Sequence, residues 1–77
     1  MNAKAERFKN VFPKRVEKIR DNLRILGNCS AKNNYQWDQA QVTRLFGALI
    51  RKFIETADKF GVTITAQVDG IEVRPFK

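Results

Sequence analysis

The 77-residue sequence contains no histidine, and Cys29 is its single cysteine. Without histidine the chain has no Ser-His-Asp or Cys-His arrangement, and it has no imidazole to serve as a general base. A single cysteine cannot close a disulfide within the chain or contribute to a Cys/His zinc cluster. We therefore expect no enzymatic activity, no catalytic residues, no metal site and no cofactor.

Glycine and long apolar runs are also scarce. The four glycines lie far apart along the chain, so no glycine-rich phosphate loop is present. No apolar run approaches the roughly 18 to 20 residues that span a bilayer. Residues 1–11 are charged and lack the apolar core of a signal peptide. The sequence thus predicts a cytoplasmic protein that has no membrane partner.

Positive charge is the most prominent feature of the composition. The chain has 15 Lys or Arg and 8 Asp or Glu, a net charge of +7, and residues 1–27 alone hold eight basic and three acidic side chains. A basic surface of this kind can neutralise phosphates in a salt-dependent way, which suggests DNA or RNA as a partner. A solvated surface that keeps a small protein soluble is the alternative interpretation. The candidate nucleic-acid contacts are Lys4, Arg7, Lys9, Lys14, Arg15 and Lys18.

The apolar pattern predicts a first helix over residues 12–27. Its apolar side chains are spaced four, three, four and three residues apart, as on one helix face. They are Phe12, Val16, Ile19, Leu23 and Leu26. Pro13 suits the first turn of a helix, and Gly27 suits a left-handed residue at its end. Residues 1–11 are then expected to form a basic N-terminal extension.

A second helix is predicted over residues 39–60, after an Asn-rich loop at residues 28–38. Asp38 has the character of an N-cap, and Gly61 should end the helix. The apolar side chains of this helix occupy about half of its circumference, which is wider than the stripe that one helix covers. The extra width should therefore be covered by the C-terminal segment, by a second copy of the chain or by another protein.

Residues 62–76 predict a β-hairpin. Apolar and polar residues alternate on both sides of Asp69-Gly70, a strong signal for a two-residue turn. The apolar side chains that should share one face are Val62, Ile64, Ala66, Val68, Ile71, Val73 and Pro75. An isolated hairpin is marginal in water, so it should pack on the helices. We expect one small α+β domain over residues 1–77, in which an antiparallel two-helix hairpin precedes a C-terminal β-hairpin.

The loop between the helices offers a second candidate site, for a protein partner. Amide and aromatic side chains are typical of surfaces that hold peptides. The candidate residues are Asn33, Asn34, Tyr35 and Trp37 in the loop, together with Ile25 on the first helix, opposite its apolar face. Together with the edge of the hairpin, they would serve a protein-protein interaction module that acts as a homodimer or as an inhibitor of a host protein. A structured interhelical turn is the simpler interpretation, and we expect a homo-oligomer in either case.

The loop carries a resemblance to a known group of proteins. The residues concerned are Leu-Gly-Asn-Cys-Ser at 26–30, Asn-Asn-Tyr at 33–35, the capped start at Asp38, and the Leu45-Phe46 pair. In these residues the chain resembles small uncharacterised proteins of bacteria, phages and other mobile elements. The group has no activity to carry over. The resemblance implies a small binding protein of phage or mobile-element type, which we expect to contact nucleic acid through the basic N-terminal and first-helix surface.

Overall fold

A computed structural model describes residues 2–74, and in these the chain forms two helices followed by two strands. Helix α1 spans Ala3–Gly27 and continues into the short 3₁₀ turn Asn28–Ser30. Helix α2 spans Gln39–Asp58. Strands β1 (Ala66–Val68) and β2 (Ile71–Val73) form a two-stranded antiparallel sheet.

The chain divides into two compact units. Met1–Gln36 holds α1 and the start of the loop, and Trp37–Lys77 holds α2 and the hairpin. Within the second unit both strands contact α2. The predicted α+β class and the packing of the hairpin on a helix are therefore confirmed, whereas the antiparallel pairing of the two helices stays a prediction.

Helix α1 starts nine residues earlier than the apolar pattern indicates. Asn2 is its N-cap, and the Asn2 Oδ1 atom accepts hydrogen bonds from the backbone N–H groups of Lys4 at 3.0 Å and Ala5 at 3.3 Å. An Asn side chain at this position satisfies donors that the first helical turn leaves free. The prediction of a separate extension over residues 1–11 is thus wrong for residues 3–11, which are helical.

Two further predictions about α1 are wrong. Pro13 lies inside the helix rather than in its first turn. A proline ring inside a helix removes one backbone hydrogen bond. The rings of Phe8 and Phe12 stack in the preceding turn, with centroids 4.7 Å apart. Gly27 has φ −60° and ψ −26°, so it is a right-handed residue that leads into the 3₁₀ turn and no left-handed cap.

Replacing Asn2 with alanine should fray the start of α1. The substitution removes the side-chain acceptor for two N–H groups, and loss of such a cap costs about 0.5–2 kcal/mol. We expect the backbone chemical shifts of residues 3–7 to move toward random coil, while those of α2 stay unchanged. Asn2→Asp, which keeps an acceptor oxygen, is the matched control and should preserve the helical shifts.

Helix α2 has the predicted caps. The carboxylate of Asp38 accepts a hydrogen bond of 3.1 Å from a first-turn N–H, and Gly61 is left-handed with φ 73°. The N–H groups of Gly61 and of the next residue bond back to the last turn at 3.0 Å, as in a Schellman motif. The helix itself ends at Asp58, so the last two residues of the predicted range 39–60 belong to this closing turn.

The hairpin has the predicted register but is shorter than residues 62–76. Val62 and Ile64 precede β1 and lie outside the strands. Pro75, which is predicted to share the packed face, lies outside the described residues. Ile71 is 74% exposed, contrary to its predicted place on the packed face. It follows the turn, where a two-stranded ribbon twists strongly.

The turn chemistry explains why the register could be predicted. Val68 pairs with Ile71, and Ala66 pairs with Val73. The two turn residues between the strands have φ values of 51° and 80°. A type I′ turn requires positive φ at both positions, and an Asp-Gly pair provides this conformation readily.

Two hydrogen bonds join the hairpin to α2, and one side chain of this helix is buried. Ile54 is 5% exposed and is the one buried residue between residues 2 and 74. The Thr43 hydroxyl donates to the Asp69 carboxylate at 3.1 Å, and Arg51 Nε donates to the Arg74 carbonyl at 3.1 Å. Thr43 and Arg51 are about 12 Å apart along the axis of α2. The earlier of them bonds to the residue before β2 and the later one to the residue after it, so β2 runs beside α2 in the same direction.

The hairpin covers only part of the wide apolar arc of α2. Another apolar face of this helix stays between 38% and 58% exposed, formed by Leu45, Phe46, Leu49 and Phe53. The C-terminal segment, one of the three predicted covers of this arc, therefore covers part of it.

Candidate nucleic-acid interface

Helix α1 arranges its side chains in sectors because consecutive residues are about 100° apart around a helix axis. Its apolar side chains share one sector, which we call the apolar stripe. Its members are Phe12, Val16, Ile19, Leu23 and Leu26. Each of them is between 38% and 46% exposed, and no residue of α1 is buried. The positions of the charged side chains of α1 are described relative to this apolar stripe.

One side of the apolar stripe carries only positive charge. We call this sector the basic flank; it holds Lys4, Arg7, Lys14, Arg15 and Lys18. These side chains fall within an arc of about 100° and extend over about 21 Å of helix. None of the three acidic residues of α1 lies within that arc. Among residues 2–74, no ion pair involves a member of the basic flank.

The other side of the apolar stripe carries charges of both signs, four of which form two ion pairs. Arg20 Nη1 lies 3.0 Å from Glu17 Oε1, and Arg24 Nη2 lies 2.9 Å from Asp21 Oδ1. All four side chains are well exposed, so these pairs add little to stability. Their effect is on charge distribution, because they leave the uncompensated cations of α1 concentrated on the basic flank.

Because α1 starts at Ala3, five of the six predicted nucleic-acid contacts lie on the same flank of one helix. Since residues 3–11 are helical, Lys4 and Arg7 lie in line with Lys14 and Lys18 on the same flank. Lys9, by contrast, falls on the opposite side of the apolar stripe, so it does not join the other five predicted residues. One sequence signal could have shown this alignment. It is the alternating spacing of three and four residues between positions 4, 7, 11, 14 and 18.

The loop after α1 is locally structured. The N–H groups of Asn34 and Tyr35 both bond to the Ala31 carbonyl, at 3.1 and 3.0 Å. Tyr35 is 52% exposed, and Cys29 is exposed with a free thiol in the 3₁₀ turn. The turn interpretation of this segment is thus consistent with its hydrogen bonds, and the aromatic ring remains accessible.

The remaining predicted protein-contact residues are also accessible. Ile25 is 49% exposed and lies on α1 in the same sector as Lys14 and Lys18. Asn33 is exposed in the turn that follows. Trp37 is 38% exposed and belongs to the second unit. Ile25 therefore adds an apolar side chain to the basic flank.

Three further observations concern the described residues outside the basic flank. Between residues 2 and 74 no group of three or more potential metal ligands comes together, and no helix has the length and apolar character needed to cross a membrane. The hairpin has a shallow, open depression lined by Thr65, Ala66, Gln67 and Glu72. Glu72 is the one carboxylate among these four lining residues.

Comparisons with known proteins provide no relative from which a function could be inferred. No family model, curated protein or solved structure matches it. The basic flank, the exposed loop and the apolar surfaces are therefore the features of the chain that bear on its function.

Proposed function

We propose that this protein is a small binding protein without catalytic activity that contacts nucleic acid through the basic flank of α1. The observation that supports it is the segregation of charge on this helix: five cations on one side, and acidic side chains paired with Arg20 and Arg24 on the other. A solubilising surface needs no such segregation. A phosphate backbone does favour it, because an acid near the contact would repel the phosphates.

The length of the basic flank suits contact with several phosphates. Lys4 and Lys18 are about 21 Å apart along the helix axis. Five exposed cations over this length can displace the counterions condensed on a nucleic acid, which provides affinity without base recognition. Lysine and arginine contacts of this type position a protein on the backbone and carry no sequence information of their own. We therefore expect binding with little sequence preference.

A direct binding experiment tests this proposal. Fluorescence anisotropy would follow labelled duplex DNA, single-stranded DNA and RNA of equal length as the protein is added at low and at physiological salt. We expect binding to at least one of the three, weakening strongly as salt rises. Absence of binding to all three at low salt would contradict the proposal and would identify the charge as a solubility feature.

A second candidate function is supported by the exposed loop. Tyr35 is 52% exposed although its backbone is held by a hydrogen bond to Ala31, and an ordered, accessible aromatic ring is typical of protein contact sites. Under this alternative the protein binds a host protein or a second copy of itself. Tyr35→Ala would then weaken binding to that protein, and it would leave salt-dependent binding to nucleic acid unchanged.

A further inference from the structure

The basic flank of α1 leads toward the loop that follows this helix. Beyond Lys18 the same sector of the helix holds Asn22 and Ile25, both exposed, and no acidic side chain. The helix then continues into the 3₁₀ turn Asn28–Ser30. A nucleic-acid strand that lies along the five cations can therefore extend to the loop without meeting a carboxylate in this sector.

Two hydrogen bonds hold the backbone of Tyr35 at the C-terminal end of α1. Asn28 is the C-cap of the helix, and its carbonyl accepts from the Ala31 N–H at 3.3 Å. The Ala31 carbonyl in turn accepts from the Tyr35 N–H at 3.0 Å. Tyr35 belongs to the same compact unit as α1, and it is 52% exposed. An accessible aromatic side chain thus follows the basic flank, since Asn28 is about 15 Å along the helix from Lys18.

The helix and its loop offer different chemistry to a nucleic acid. The cations between Lys4 and Lys18 suit phosphates, whereas the loop has the aromatic ring of Tyr35 and the exposed amides of Asn33 and Asn34. Aromatic rings stack on bases, and amides both donate to and accept from base edges. The C-terminal end of a helix carries partial negative charge, which disfavours a phosphate there but not an uncharged base. Phosphates are thus expected along α1, and a base is expected at the loop.

We propose that the partner of the basic flank is a single-stranded nucleic acid whose phosphates lie along α1 and one of whose bases stacks on Tyr35. In a duplex the faces of the bases are covered by their neighbours, so the ring can stack only on an unpaired base. A cationic track combined with an accessible aromatic ring is typical of proteins that bind single strands without sequence preference. This inference rests on the proposed function and adds the class of nucleic acid to it. Duplex DNA would be held by the basic flank alone.

The test measures how Tyr35→Ala changes the affinity for strands with and without bases. Fluorescence anisotropy of the full chain at low salt would follow labelled single-stranded DNA and RNA of about 16 nucleotides, an abasic DNA strand of the same length, and duplex DNA. The loss of one stacked base should weaken binding to at least one of the intact single strands about fivefold or more. Affinities for the abasic strand and for the duplex should stay unchanged, because neither offers a base face to the ring.

Tyr35→Phe is the matched control for the aromatic ring. It keeps the face that stacks and removes only the hydroxyl, so its affinity for single strands should remain close to that of the wild type. Duplex binding by Tyr35→Ala serves as an internal control, because it depends on an intact helix α1 and on the five cations. Circular dichroism of both variants checks the helix content directly. The DNA and RNA arms then show which sugar the site accepts.

The outcomes separate this inference from the proposed function. Salt-dependent binding that Tyr35→Ala leaves unchanged for every strand would overturn the single-strand inference and leave the proposed function standing; it is also the result expected if Tyr35 serves a protein partner. An equal loss for intact, abasic and duplex ligands would overturn the inference too, because it would mark Tyr35 as a structural residue. Failure of the proposed function itself differs from both, since the wild-type chain would then bind none of the ligands at low salt.

Discussion

Replacing Lys14 and Lys18 with glutamate should abolish binding to nucleic acid. The two substitutions remove two phosphate contacts from the centre of the basic flank and introduce two negative charges in their place. Repulsion between these carboxylates and the phosphates adds to the lost contacts, so we expect affinity to fall at least about a hundredfold. Fluorescence anisotropy at low salt, where wild-type binding is strongest, would measure the loss.

The matched control changes the same net charge on the other flank. Arg20→Glu together with Arg24→Glu alters the total charge by the same amount, but it affects side chains that are already paired with Glu17 and Asp21. Binding should decrease far less than for the substitutions at Lys14 and Lys18. Equal losses in both double variants would show that only net charge matters, and this would contradict a defined interface on the basic flank.

Replacing Ile54 with alanine should unfold the second unit or leave it barely stable. Ile54 is 5% exposed, and it is the one buried side chain in the described part of the chain. Truncating a buried isoleucine costs about 2–5 kcal/mol. A small domain of this kind rarely has more than about 5 kcal/mol of stability in total. Chemical denaturation followed by circular dichroism should show a large loss of folding free energy.

Leu45 provides the comparison for Ile54 within the same helix. It is 58% exposed, so Leu45→Ala removes little buried surface and should change the free energy of unfolding by less than about 1 kcal/mol. The amide resonances of β1 and β2 should shift strongly in Ile54→Ala and remain nearly unchanged in Leu45→Ala. Similar destabilisation by both variants would show that Ile54 is not the centre of the packing between α2 and the hairpin.

Local chemistry explains which parts of the fold could be predicted. Asp38, Gly61 and the Asp69-Gly70 turn act through hydrogen bonds and backbone angles of a few adjacent residues, and the structure confirms all three. The prediction for Gly27 is wrong because a glycine after a helical pattern is permitted, but not forced, to be left-handed. The exposure of Ile71 follows from the strong twist of a two-stranded ribbon beside its turn, which periodicity does not encode.

The site was predicted in part. The basic residues could be named from composition, and Lys14, Arg15 and Lys18 could be placed on one helix flank from their spacing. The alignment of Lys4 and Arg7 with them depends on the cap at Asn2, a single polar residue near the start of the chain. Lys9 was included for its charge alone, and the helical geometry separates it from the others.

The most direct test of the account is the salt dependence of nucleic-acid binding by the wild-type chain. If the basic flank neutralises four or five phosphates, the logarithm of the affinity for duplex DNA should fall with the logarithm of salt concentration with a slope of about −4 per bound chain. Substituting one lysine of the flank by glutamine should reduce this slope by about 1. A slope near zero, or no measurable binding at low salt, would contradict a phosphate-binding role for α1.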